Sequence, residues 1–403
     1  MSRVIFAWNY IEWGGAQIHF LALIREARKY LDILVLLPEG TDPQFLGFLE
    51  EEGIRYEQFR GSIDLAQKSG VKAKLARHWQ RIKSEHAMLR KIGEAGLTDT
   101  IVHTDISPGQ SLLSLVWLCL RTSVFITLHN AQPAVSRLRW TLWKLKYGVI
   151  SRFENFHVFC TNEHAANYYR QLFSGRVARD IKLTYDSINP VEIDEALRDK
   201  FDREAELRNL GIPDNNFIVL TVGQFIDRKG RWTLLDAAEM VKAKTEDIRF
   251  VWVTPSLPNN CEADRIAEYD LGETFRLIRS ADVGTDRRSI LRFYQIADIF
   301  ALPSFVEGIP IALLEAMAAG IPCISTNVYG IPEAIIHEKT GLLIEAGDPG
   351  ALADAIMRLH KDTFLRAEIA RGGRDRARSV FDERIAARTA VSEYKKAFGS
   401  NEL

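Results

Sequence analysis

The stretch LPSFVEGIPIALLEAMAAGIP, residues 302–322, follows the apolar run Ile299 to Leu302 and reads as a strand, a loop and a helix. Ala, Leu, Glu and Met are strong helix formers, Pro310 suits a first helical position and Gly320 suits a stop. The N–H groups of Ile311 and Ala312 then lead the helix without intrahelical acceptors. They point outward with the positive end of the helix dipole, an arrangement that binds phosphate. Gly308 and Ile309 line the approach to that helix start. Glu307 lies in the loop just before it and Glu315 one to two turns inside. Two carboxylates at different heights are thus placed to accept hydrogen bonds from sugar hydroxyls of a bound nucleotide.

Outward from this segment, short runs rich in Val, Ile, Leu and Phe recur between longer helical stretches: Ile33 to Leu37, Ser123 to Leu128, Phe217 to Val222, Arg249 to Val253 and Cys323 to Ser325. Such alternation predicts an α/β fold of parallel sheets covered by helices on both faces. The 403 residues suffice for two domains, and with 47% hydrophobic and 26% charged residues the chain is neither disordered nor collagen-like. A net charge of −1 offers no global positive field for nucleic acid. Cys119, Cys160, Cys261 and Cys323 are widely spaced and form no C-x-x-C pair, which points to a reducing compartment without a zinc cluster. The amino terminus enters the apolar run Val4 to Trp8 directly and lacks a signal-peptide core. The apolar run Leu112 to Leu120 stops at Arg121, short of the roughly 20 residues of a membrane helix. A cytoplasmic protein is expected, peripheral on the cytoplasmic face of a membrane if its basic segments dock there.

Asn189-Pro190 and Gly211-Ile212-Pro213-Asp214 punctuate the chain near its middle, so the expected domains are 1–185 and 186–403, the second with a C-terminal helix able to cross back to the first. Residues 1–185 hold 24 Lys and Arg against 17 acids, whereas 186–403 hold 28 against 36. The excess of positive charge gathers in Lys68 to Lys91 and in Arg137 to Arg152. The second of these interleaves Arg137, Arg139, Lys144, Lys146 and Arg152 with Trp140, Trp143 and Tyr147 and contains no acid. That composition suits the headgroup boundary of an anionic membrane or a polyanionic acceptor. The alternative is a solvated helix face with its aromatics turned into the core.

Pro303-Ser304-x-x-Glu307-Gly308, with Glu315 eight positions after Glu307 and an ending Ala316-Met317-Ala318-x-Gly320-x-Pro322, resembles the donor site of family 4 retaining glycosyltransferases of the GT-B fold. Further pieces of the family pattern follow in order along the chain: Gly14-Gly15-Ala16, His129-Asn130, Asn189-Pro190-Val191, Val222-Gly223, Lys229-Gly230, Asp298, Gly330-Ile331-Pro332-Glu333 and Gly341-Leu342-Leu343. The resemblance implies two Rossmann-like domains facing a central cleft. A nucleotide-sugar donor such as a UDP- or GDP-sugar would be held mainly by the C-terminal domain and a glycan or lipid-linked acceptor mainly by the N-terminal one. It also implies retention of anomeric configuration without a catalytic metal, and no Asp-x-Asp pair occurs anywhere in the chain.

The resemblance assigns Lys229, with Arg228 beside it, to the donor diphosphate, where a cation stabilises the charge that builds on the leaving group. Glu307 would contact the donor sugar and Glu315 the ribose. His129, at a strand end, would contact the sugar near its reacting centre, and Gly14 and Gly15 would let the ligand approach the backbone. Lys229, Glu307 and His129 are the expected catalytic residues. His103 and Asp105, also at a strand end, read better as structural. The chain departs from the family at Gln224, where Arg usually follows the strand-end glycine, so part of the diphosphate clamp is missing. Two other readings stay open: a non-catalytic partner subunit of the same fold, which Gln224 encourages, and a nucleotide-sugar epimerase on a similar scaffold.

Overall fold

Strands buried on both faces can be almost wholly apolar, and that is how the strands of this chain are written. The computed structural model describes residues 2–11, 14–61, 71–132, 135–284 and 286–399. The chain divides into two units, Met1–Asp186 joined by Glu383–Leu403, and Ser187–Asp382. The first contains β1 (Arg3–Ala7), β2 (Asp32–Pro38), β3 (Tyr56–Phe59), β4 (Thr100–Thr104), β5 (Ser123–Leu128), β6 (Phe156–Cys160) and β7 (Lys182–Leu183). The second contains β8 (Phe217–Val222), β9 (Ile248–Thr254), β10 (Phe275–Arg279), β11 (Ile299–Leu302), β12 (Cys323–Thr326) and β13 (Leu342–Ile344).

Both sheets are parallel, in the orders β3-β2-β1-β4-β5-β6-β7 and β10-β9-β8-β11-β12-β13. In each, the first strand of the unit lies inside the sheet with its successor on one side and a later strand on the other. The chain therefore reverses its direction of travel between β1 and β4, and again between β8 and β11. At such a switch point the loops leaving neighbouring strands diverge to opposite faces and leave a crevice beyond the carboxyl ends. With Glycine, lysine and acid-bearing loops at those ends, the topology fixes where a ligand site can form.

Alternation along β1 sends Val4, Phe6 and Trp8 into one apolar layer and Ile5 and Ala7 into the other. Tyr394 of the helix Glu383–Ala397 is fully buried in the first of these layers, which is why the last helix belongs to the first unit. In the second unit Phe225, Leu234, Phe250 and Trp252 share one core, so the loop after β8 is anchored through Phe225. The helix after β11 spans Ile311–Ala319. Pro310 stands one residue outside it as the N-cap, a correction to the expected first helical position, and Gly320 ends it with φ +81°.

Candidate functional site

The loop after β8 carries Lys229 in the 3₁₀ turn Asp227–Lys229, and Gly230 then starts the helix Arg231–Lys242 with φ +76°. That left-handed conformation favours glycine, and packing demands it as well: a Cβ at Gly230 would stand 1.9 Å from the carbonyl oxygen of Pro303. The two loops that flank the β8/β11 switch point thus touch backbone to backbone. Phe305 N–H donates to the Arg228 carbonyl at 2.8 Å, and Arg228 Nη1 donates to the Val306 carbonyl at 3.1 Å.

This stitching brings together charges that lie far apart in sequence. Lys229 Nζ is 2.7 Å from Glu307 Oε1, and Arg228 Nη1 is 3.3 Å from Glu307 Oε2. Ser304 Oγ donates to Glu307 Oε1 at 3.2 Å. Glu307 is buried, Lys229 is nearly so, and Arg228 reaches solvent. Two cations against one carboxylate leave an excess positive charge at a helix amino end, which favours an incoming anion. Leu313 and Leu314 N–H both bond the Pro310 carbonyl, while Ile311 and Ala312 supply the leading N–H groups. Gly308 lies under Gly330 so closely that a Cβ on Gly330 would meet the Gly308 carbonyl oxygen at 2.5 Å, and Ile309 is buried beside it.

Glu315 sits in different surroundings. Its Oε1 is 2.6 Å from Arg287 Nη2, and its Oε2 accepts from Tyr294 Oη at 3.0 Å. Arg287 Nε in turn donates to Glu192 Oε1 at 3.0 Å. Burial opposes the Arg287 charge, yet Glu315 and Glu192 raise its pKa above the ordinary arginine value. Burial first, and then the Glu315 charge, push the Tyr294 phenol far above its usual range, so it remains a donor. The carboxylate expected at a ribose is therefore already engaged, Oε2 by a hydrogen bond and Oε1 by the Arg287 charge, while Oε1 accepts no hydrogen bond among the described residues.

In the first unit the same switch-point logic gathers the ends of β1, β4 and β5. Gly14 precedes the helix Gly15–Ala27 in extended geometry, and a Cβ there would meet nothing nearer than 3.7 Å. Among the described residues nothing requires its missing side chain. His129 follows β5 and its carbonyl accepts from Asn162 Nδ2 at 2.7 Å. Its Nδ1 is 3.4 Å from Asp186 Oδ1, while its Nε2 is buried with no hydrogen-bond partner among the described residues. Burial opposes charge on His129, but the Asp186 carboxylate beside it and the nearby Asp105 raise its pKa above the usual histidine value. His19, 3.9 Å from the same Asp186 oxygen, is driven down to about 3 by burial and stays neutral. His103 is likewise driven to about 3 by burial and is spent on Tyr394 Oη at 2.5 Å and Thr127 Oγ1 at 2.8 Å. Asp105 accepts from Tyr10 Oη at 2.8 Å, and burial raises its pKa.

The expected residues therefore fall into three groups: Lys229, Arg228, Glu307, Gly308 and Ile309 around the switch point of the second unit; Glu315 with Arg287 and Tyr294; and His129, with Gly14 and Gly15, in the first unit. Gln224 is exposed at the end of β8. Asp298 is structural, accepting from Arg203 Nη2 and the Ile218 N–H, each at 2.8 Å. Asp186, His19, Arg287 and Tyr294 were missed, because each meets its partner through the fold and carries no local pattern. No group of three or more His, Cys, Asp or Glu side chains suited to a metal occurs among the described residues.

The family described as "Glycosyl transferases group 1" matches residues 202–376. The capsular polysaccharide biosynthesis glycosyltransferase CapM of Staphylococcus aureus is 25% identical over 61% of this chain and 64% of its own length. A GDP-mannose-dependent α-(1-6)-phosphatidylinositol monomannoside mannosyltransferase of Mycobacterium tuberculosis is 31% identical over 42% of this chain and 45% of its own. The chain thus spans less than two thirds of the length of these curated relatives. A glycosyltransferase from Rickettsia africae superposes with a TM-score of 0.76 over 100% of this chain and 99% of that one at 17% identity. Anabaena HepE in complex with UDP-glucose does so with 0.74, over 98% and 100%, at 20%. The fold is GT-B, and the family match lies within its second unit.

Proposed function

We propose that this chain is a family 4 glycosyltransferase that moves a hexosyl group, with retained configuration and without a metal, from a nucleoside-diphosphate sugar to a glycan or lipid-linked glycan. The observation that carries this reading is the 2.7 Å meeting of Lys229 and Glu307 across the two loops of the β8/β11 switch point. The names of the relatives agree in kind: CapM concerns capsular polysaccharide, and HepE is seen with UDP-glucose.

In this reading the donor diphosphate lies against the N–H groups of Ile311 and Ala312 and draws the Lys229 ammonium partly away from Glu307. The bond from the anomeric carbon to the diphosphate oxygen breaks and its electron pair stays on the diphosphate. The acceptor oxygen bonds to the same face of the anomeric carbon, and its proton passes to a phosphate oxygen. Lys229 stabilises the charge that accumulates there, and Glu307, released from Lys229, accepts from the sugar hydroxyls. Glu315, fixed by Arg287 and Tyr294, offers the ribose the lone pairs those contacts leave. His129, in the first unit, has an unpaired Nε2 that can donate to a sugar hydroxyl. Three buried cysteines and one exposed, all unpaired, support a cytoplasmic setting.

A panel of UDP- and GDP-sugars in a thermal-shift assay tests the donor. At 100 times the dissociation constant the right one stabilises by about 2.7 kcal/mol. Release of nucleoside diphosphate in the presence of EDTA and an acceptor glycan, with the product anomer read by NMR, tests transfer. An isomerised donor in the absence of acceptor would instead favour an epimerase. Binding without release, relieved by a second subunit, would favour the partner-subunit reading that the uncharged Gln224 suggests.

A further inference from the structure

The basic helix Arg137–Ile150 carries two apolar stripes. Trp143, Tyr147 and Ile150 are buried and Trp140 is half-buried against the same core, so the aromatics that make this segment look interfacial face inward. Lys146 Nζ, donating to the Gly109 carbonyl at 2.9 Å, and Ser107, bonded to Tyr147 Oη at 2.9 Å, lock that side against the neighbouring helix Pro108–Cys119. The opposite side holds Leu138, Leu142, Leu145 and Val149, which are 73%, 50%, 64% and 41% exposed. Their spacing of four, three and four residues confines them to an arc of roughly 60° on a helix. Arg139 borders the ridge on one side and Arg137 and Lys144 on the other, all three exposed, and no acid occurs from Arg137 to Arg152. The adjacent helix adds Leu113 at 83% exposed. Among the described residues no helix is long and apolar enough to cross a membrane.

We infer that this ridge docks the first unit on an anionic lipid bilayer, with the leucines entering the acyl boundary and the flanking cations meeting headgroup phosphates. Aliphatic side chains pointing straight away from the core need an apolar medium, which a polyanion dissolved in water does not supply. A second copy of the chain is disfavoured by charge: an isologous pairing of this face would bring basic flank against basic flank with no acid between them. Long Arg and Lys stems can follow the ridge inward while their heads stay at phosphate level. The inference is independent of the proposed transfer, since neither donor nor acceptor enters it.

The test is co-sedimentation of the full chain with phosphatidylcholine vesicles, with and without phosphatidylglycerol. Leu142→Glu/Leu145→Glu and Arg137→Glu/Lys144→Glu serve as variants. All four positions are exposed, and thermal midpoints matching the wild type show that the variants fold. The wild type should bind the anionic vesicles and lose binding as salt is added. Each basic residue near the surface contributes about fivefold, so the double charge reversal should weaken binding by about 30-fold or more. The leucine pair should weaken it by about tenfold or more at any salt. Equal binding to neutral and anionic vesicles would overturn the inference, as would undiminished binding by Leu142→Glu/Leu145→Glu. So would a concentration-dependent dimer that dissolves in that variant while no vesicles are bound.

Discussion

Glu307 and Glu315 lie eight residues apart, both buried, and each carries a cation within 2.7 Å, yet they are held in opposite ways. Glu307 faces Lys229 and Arg228, whose loops end at a switch-point crevice and whose charges exceed its own. In the proposed reading an arriving diphosphate competes for both cations at little cost, because the ammonium and the guanidinium are only redirected. Glu315 faces Arg287, a planar cation that is always charged and that Glu192 holds from the far side, with Tyr294 closing the second oxygen. The difference teaches that burial and an ion pair do not identify a functional carboxylate. What matters is whether the partner has another anion to reach.

The largest effect expected from breaking this contrast is on stability. Arg287→Ala leaves Glu315 charged and buried without its partner, which should cost about 3–5 kcal/mol and lower the thermal midpoint of the second unit. Arg287→Met with Glu315→Leu should recover most of that loss. If the double variant recovers stability and donor binding alike, Glu315 has no role at the ribose. Lys229→Ala should do the reverse, lowering turnover by about 10²-fold with a smaller loss of stability than Arg287→Ala, because the transition state loses a cation while Arg228 still pairs with the buried Glu307. A variant with wild-type rates would remove Lys229 from the mechanism.

The fold was legible where a strand is buried on both faces. Ser123 to Leu128, Phe217 to Val222 and Ile299 to Leu302 are apolar runs in the sequence and strands with those bounds in the structure. Lys229 and Glu307 were legible because glycines and prolines mark the loops that carry them. Arg287, Tyr294 and Asp186 were not, since their contacts depend on which strands the topology makes neighbours. The helix Arg137–Ile150 was half legible: Trp140, Trp143 and Tyr147 have helical spacing, but so do Leu138, Leu142, Leu145 and Val149. Periodicity reports that stripes exist, and only packing decides which one faces inward. Lys68, part of the other basic segment, lies outside the described residues.

A smaller effect sharpens the Glu315 side. Tyr294→Phe removes one hydrogen bond to a buried carboxylate while leaving Arg287 in place, so about 1.5–3 kcal/mol of stability should be lost. Donor affinity should be unchanged if the Arg287 contact alone orients Glu315. A fall in affinity larger than the fall in stability would show that the phenol aims the carboxylate at the ligand.

The smallest expected effect concerns a third carboxylate, whose partner can change its charge. Asp186 faces His129 at 3.4 Å and His19 at 3.9 Å, with Asp105 nearby. His19 stays neutral through burial, so His129 is the group that titrates against Asp186. Because the folded-state pKa of His129 is raised, its contribution to stability is fully present below about pH 6.5, the unfolded value, and is lost as the pH rises through the folded one. Asp186→Asn removes the charge that sustains the imidazolium. The variant should therefore be more destabilised, relative to wild type, in mildly acidic solution than in mildly alkaline solution, and the His129 ring signals should titrate at lower pH in an NMR series. The same destabilisation at both pH values would mean that Asp186 acts on the backbone around it and leaves His129 to be positioned by its carbonyl contacts with Thr161 and Asn162 alone.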